Sequence, residues 1–140
     1  MSYAMSAALQ EAVFTNLSGN GALVALVAGI YDAPPAGDGT PPTGTYITLG
    51  DEVAKDRSSA SHSGCTLDFE VNVHSGFSGY SAAKEVAGLV VDSLDRADLT
   101  LSRGTLVNLK FLKSRARRGA APETRRIALV FRAILDDGTI

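Results

Sequence analysis

Apolar residues recur along the chain with two periods, and the switches between them mark the elements. Met5, Leu9, Ala12, Val13 and Leu17 fall on one stripe at helical spacing while Gln10 and Glu11 point elsewhere, predicting an amphipathic helix over residues 5–17. Ser18-Gly19-Asn20-Gly21 ends it, because glycine and asparagine accept the left-handed conformation that closes a helix. A short apolar helix over 22–28 follows and stops at Gly29, and Ile30-Tyr31-Asp32 opens an extended segment. Residues 33–45 hold four of the five prolines, whose missing N–H donors and fixed φ predict a surface loop. Tyr46-Ile47-Thr48-Leu49 is β-branched and aromatic and reads as a strand, and the polar run 50–64 as a mobile hairpin or loop.

The clearest extended signal is 65–75. Leu67, Phe69, Val71 and Val73 alternate with Thr66, Asp68, Glu70, Asn72 and His74, which implies one buried and one wet face. After a turn at 76–79, residues 80–94 form the best helix, with Ala83, Val86, Ala87, Val90 and Leu94 on one side and Ser78 or Ser81 as candidate caps. Alternation returns over 104–113, with Val107, Leu109 and Phe111 on one face and Asn108 and Lys110 on the other. It breaks over 114–123 and resumes over 124–135, where Ile127, Leu129, Phe131 and Leu135 alternate with Arg126 and Arg132. The reading is an α+β fold in order α-(α)-β-β-α-β-β, with two main helices on one face of a mainly antiparallel sheet. One domain over 1–140 is expected, with flexible loops at 33–45, 50–64 and 114–123.

Composition narrows the classes. With 140 residues, 45% apolar, the chain is long enough to bury a core and too apolar to be wholly disordered. The longest apolar stretch, 22–31, is far short of the roughly 20 residues that span a bilayer. No membrane association is expected, and the first six residues lack the basic and apolar regions of an export signal. A lone cysteine, Cys65, cannot form an internal disulfide or a Cys-rich zinc site and fits a reducing cytoplasm.

His62, Cys65, Asp68 and His74 are the strongest catalytic candidates, and none completes a site. Cys65 and His74 have opposite strand parity and stand roughly 30 Å apart along an extended strand. His62 can approach Cys65 from the serine-rich loop, but nothing orients it, so a small hydrolase built on that pair is a remote third reading. Asp68, Glu70 and His74 share a face at about 7 Å spacing, too far apart to chelate a metal without a second strand. Gly19-Asn20-Gly21 and Gly37-Asp38-Gly39 lack the context of a phosphate loop. No catalytic residue, cofactor or metal site is expected.

Net charge is −2 overall but divides unevenly. Residues 1–102 hold 4 basic and 12 acidic side chains; residues 103–140 hold 9 and 3. Lys110, Lys113, Arg115, Arg117, Arg118, Arg125 and Arg126 lie within 17 residues, opposed only by Glu123, and read as a basic tongue between the last two strands. Such a tongue can dock on an acidic protein surface, a neighbouring copy included, bind nucleic-acid phosphate, or merely solubilise a hairpin. No aromatic side chain stands among the cations from Lys113 to Arg126, which weakens single-strand binding. The runner-up function is therefore a small nucleic-acid-binding or regulatory module acting through 110–126.

The order of segments resembles a known family. A helix over 7–17, an apolar helix over 22–29 running into Ile30-Tyr31-Asp32, a proline-bearing loop, Tyr46-Ile47-Thr48-Leu49-Gly50, the strand 66–75 and the helix 82–94 together resemble tail-completion, or tail-terminator, proteins of long-tailed phages and phage-derived gene transfer agents. The likeness covers most of the chain, residues 5–137. It implies a structural virion protein, made in the bacterial cytoplasm, that forms a six-membered ring at the head-proximal end of the tail tube. Its implied partners are copies of itself, the tail tube protein and a head–tail connector or stopper protein. DNA would pass through the ring without sequence-specific contacts, and no catalytic residue carries over. Unlike patches meeting head to tail around a rotation axis suit a chain with one acidic and one basic region.

Overall fold

The computed structural model describes residues 3–32, 44–76, 80–118 and 125–139. Three helices, α1 (Met5–Ser18), α2 (Gly21–Val24) and α3 (Ser81–Leu94), accompany five strands, β1 (Ile30–Tyr31), β2 (Thr45–Asp56), β3 (His62–Ser75), β4 (Thr105–Arg118) and β5 (Arg125–Thr139). The strands form one sheet in order β1-β2-β3-β5-β4, antiparallel except for β1 beside β2. The α+β reading holds, with the helices on one face. Of the proline-rich stretch, 33–43 lies outside the described residues, as do 77–79 of the expected turn.

The helical stripes bury as their spacing requires. Met5, Leu9, Val13 and Leu17 of α1 and Ala83, Val86, Ala87, Val90 and Leu94 of α3 close over Cys65, Leu67, Phe69, Val71 and Val73 of β3 and Ile127, Leu129, Phe131, Ala133 and Leu135 of β5. Phe131 is fully enclosed between two cross-strand partners, Phe69 and Phe111, each with its ring centre 5.6 Å away. Side chains directly opposite across strands are the natural unit of such packing.

Several local expectations are corrected. The helix ends use different chemistry: Gly19 has φ −84°, so no left-handed residue closes α1, and Asn20 instead caps α2, its side-chain oxygen accepting from the Leu23 N–H at 3.2 Å. That helix is a single turn rather than the expected 22–28. Tyr80 occupies the cap position of α3 without a side-chain bond, so Ser81 does not cap it, and Ser78 lies outside the described residues. The run 50–64 is mostly strand: β2 continues to Asp56, β3 starts at His62, and only 57–61 turn between them. Asp56 ties that turn, its carboxylate accepting from the Ser58 N–H and hydroxyl.

The supposed loop 114–123 is likewise strand as far as Arg118, in register with Arg125–Leu129, and residues 119–124 lie outside the described residues. Val107 is not on the core face. A bulge between Leu106 and Asn108 inserts it as an extra residue, leaving it 61% exposed while Leu109 is fully buried. A second bulge, between Leu49 and Glu52, turns Glu52 toward α1, where its carboxylate accepts from the Ser6 hydroxyl at 2.8 and 2.9 Å and from the Tyr3 hydroxyl.

Candidate interaction surface on the open sheet face

The face of the sheet away from the helices carries the alternate residues of each strand. Thr66, Asp68, Glu70, Asn72 and His74 on β3 lie beside Ile134, Arg132, Val130, Ala128 and Arg126 on β5, position for position. None of the described helices covers this face, so its polar side chains satisfy one another.

Asp68 receives two bonds from the Arg132 guanidinium, at 2.8 and 3.0 Å, which hold its carboxyl below the usual range. Arg126 donates to the Asn72 side-chain oxygen at 3.1 Å and stands 4.0 Å from Glu70. His74 stacks on Tyr46, with ring centres 4.7 Å apart, and shares a 2.9 Å hydrogen bond with the Thr48 hydroxyl. Burial, then the nearby Arg126 charge, pushes its imidazole pKa down.

These contacts place the catalytic candidates. Asp68, Glu70 and His74 do share a face, each turned to its own protein partner, and among the described residues no three acidic, histidine or cysteine side chains gather as metal ligands. Cys65 faces the core, and burial raises its thiol pKa, the opposite of what activates a nucleophile. His62 stands exposed at the start of β3, next to Ser61 rather than oriented on the thiol.

The basic segment divides in two. Arg125 and Arg126 are engaged within the fold, Arg125 with its guanidinium 5.4 Å from the Tyr80 ring centre and Arg126 on Asn72. Lys110, Lys113, Arg115, Arg117 and Arg118 project exposed from β4, and among the described residues none takes a hydrogen bond or ion pair. Register puts Lys113, Arg115 and Arg117 opposite Val130, Ala128 and Arg126, hence on the open face, while Arg118 faces the helix side with Arg125. Every second residue of a strand recurs at roughly 7 Å, so the three cations form a regular row.

That row borders a shallow trough of about 560 Å³ across the open face, with Asp51, Asp68 and Glu70 on the opposite flank, Val130 between, and Val53 and Leu112 adding aliphatic surface on the two sides. The trough therefore bears both signs of charge, with the unpaired excess positive. Charge counting finds the basic residues, but only the register separates the five free cations from the two engaged ones. The acidic flank, and Arg132 as the partner of Asp68, escaped sequence reasoning; the matched alternation of acids on β3 and arginines on β5 was their only signal.

Against known proteins, the chain matches the family described as Tail completion protein gp17 over residues 11–136. It is also similar to a chain of the solved structure "Virion of native gene transfer agent (GTA) particle", at 45% identity, covering 96% of this chain and 99% of that one with a TM-score of 0.88. No curated protein sequence matches.

Proposed function

The chain belongs to the family of tail completion proteins, and from that membership we propose that it is a non-enzymatic virion component forming a ring at the head-proximal end of a tail tube. In this reading the ring, a hexamer, stops tube growth, presents a surface to the head connector and leaves a central passage for DNA. Near-complete, end-to-end likeness to a chain of a gene transfer agent virion is the observation that carries it. The molecule's own physics supports it. A closed ring repeats one heterologous contact, so each copy must offer two unlike surfaces. The cationic β4 row supplies one, and the strongly acidic first 102 residues supply candidates for the other.

Particles assembled without this chain test the reading. The expected result is tails of irregular length that fail to join heads; tails of normal length on heads would remove the role. Reversing Arg115, Arg117 and Arg118 to Glu is expected to impair assembly with the fold intact, because all three are exposed. Normal particle yield from that variant would remove the β4 row from the account.

A nucleic-acid-binding module is the competing reading, since a regular cation row also suits phosphate. The carboxylates of Asp51, Asp68 and Glu70 across the trough leave only the β4 row for phosphate, whereas a protein partner can use both signs of charge, which favours a protein partner. Duplex binding that weakens steeply with salt would reverse that preference.

A further inference from the structure

Seven large apolar side chains stand exposed among the described residues, and none lies on β3, β5 or α3. Tyr3, Phe14, Val24 and Leu26 belong to the N-terminal helical stretch, and Val53, Val107 and Leu112 to β2 and β4. The centre of the fold is sealed while its flanks are not, and exposed apolar surface concentrated this way marks contact sites.

On the β1 flank, a groove of about 550 Å³ runs between α1 and β1, walled by Phe14, Ile30, Tyr31 and Leu49. Glu11 and Asp32 lie on its rim, exposed, and among the described residues neither has a hydrogen bond or ion pair. On the other flank, β4 is the last strand of the sheet. Its outer edge is occupied in the middle by the chain itself: the Arg96 N–H donates to the Leu109 carbonyl at 2.7 Å, and the Asp95 carboxylate accepts from the Phe111 N–H at 2.9 Å. Beyond Phe111 the edge has no neighbour among the described residues, and there the exposed Leu112 precedes Lys113 and Arg115.

We propose that the groove between α1 and β1 is the seat for the β4 edge of a second copy. Leu112 fills the apolar groove, and Lys113 and Arg115 pair with Glu11 and Asp32. An exposed leucine at the rim of the trough, followed by two cations, complements an apolar slot bordered by carboxylates, and such charge matching sets register and excludes wrong partners. Seat and leucine are at opposite ends of the strand order, so one copy uses both at once and the contact passes from subunit to subunit, as a rotationally closed assembly requires. This inference rests on the ring reading above and names the surfaces that would meet.

Complementary charge reversal tests it. One variant carries Glu11→Lys and Asp32→Lys, the other Lys113→Glu and Arg115→Glu; light-scattering mass is followed against concentration, with circular dichroism as the folding control. Each variant alone is expected to need at least tenfold more protein to self-associate, and an equimolar mixture to return toward the wild-type curve, since contacts between the two variants join opposite charges and can alternate around a ring of even number. Variants that assemble like the wild type would overturn the pairing while leaving the ring reading intact. Variants that each fail and stay dissociated when mixed would also overturn it, giving the groove to another molecule. A wild-type chain that never self-associates, alone or in particles, would remove the ring and this contact together.

Discussion

Leu109 and Val107 are two residues apart on β4, and on a regular strand they would share the core face. The bulge separates them, leaving Leu109 fully buried and Val107 61% exposed. Truncating each to alanine is therefore expected to give very unequal losses. A buried Leu→Ala substitution costs about 2–5 kcal/mol, through lost burial and the cavity left behind. An exposed substitution away from special contacts stays within about 0.5 kcal/mol. Taking about 3 kcal/mol for Leu109→Ala and a urea slope of about 2 kcal/mol per molar, the unfolding midpoint falls by about 1.5 M. For Val107→Ala the same slope gives at most about 0.25 M. Urea titration followed by circular dichroism reads both values. Equal losses would show that β4 alternates without interruption through Val107, and the bulge between Leu106 and Asn108 would fall with it.

Three further outcomes follow from the geometry. Glu52→Ala leaves the buried Ser6 hydroxyl without its acceptor and is expected to cost about 1–3 kcal/mol, whereas Glu52→Gln, which keeps an acceptor oxygen, should cost less; urea midpoints compare them. Gly104 has φ +77°, and a Cβ there would meet the Met5 sulfur and stand 3.1 Å from the Asp136 carbonyl oxygen, so Gly104→Ala is expected to destabilise by more than about 1 kcal/mol. For His74, whose imidazole is held below its ordinary 6.5, the unfolded chain takes up a proton first as the pH falls. Its contribution is thus intact above that value and declines through the window down to the depressed folded pKa; His74→Gln should flatten stability against pH there, and an unchanged slope would contradict the assignment.

Legibility in the sequence followed amphipathicity. The helix over Ser81–Leu94 and strand β3 are plain because each carries one dry and one wet face, and β5 because Ile127, Leu129, Phe131 and Leu135 keep period two, so the period of apolar residues reports the backbone directly. The outer part of β2 and the last five residues of β4 read as loops in the sequence because their side chains are mostly polar. Edge positions away from the core need no apolar alternation, and lysine or arginine there discourages unwanted pairing. Bulges were invisible for a related reason: one inserted residue shifts the parity of everything after it, and only the partner strand reveals the slip. The cations at Lys113, Arg115 and Arg117 were found by charge alone, but their freedom from partners is a property of cross-strand register. The groove with Glu11 and Asp32 gathers residues from α1, β1 and β2, and no linear pattern joins them.

The proposed role is closure of this chain on copies of itself where the tail meets the head. A cryo-electron-microscopy reconstruction of intact particles carrying this chain tests it most directly. The expected result is a closed ring of this fold at the head-proximal end of the tube, with an open centre and each β4 edge seated on its neighbour. Density that puts the chain elsewhere, or as isolated copies with no subunit-to-subunit contact, would contradict it.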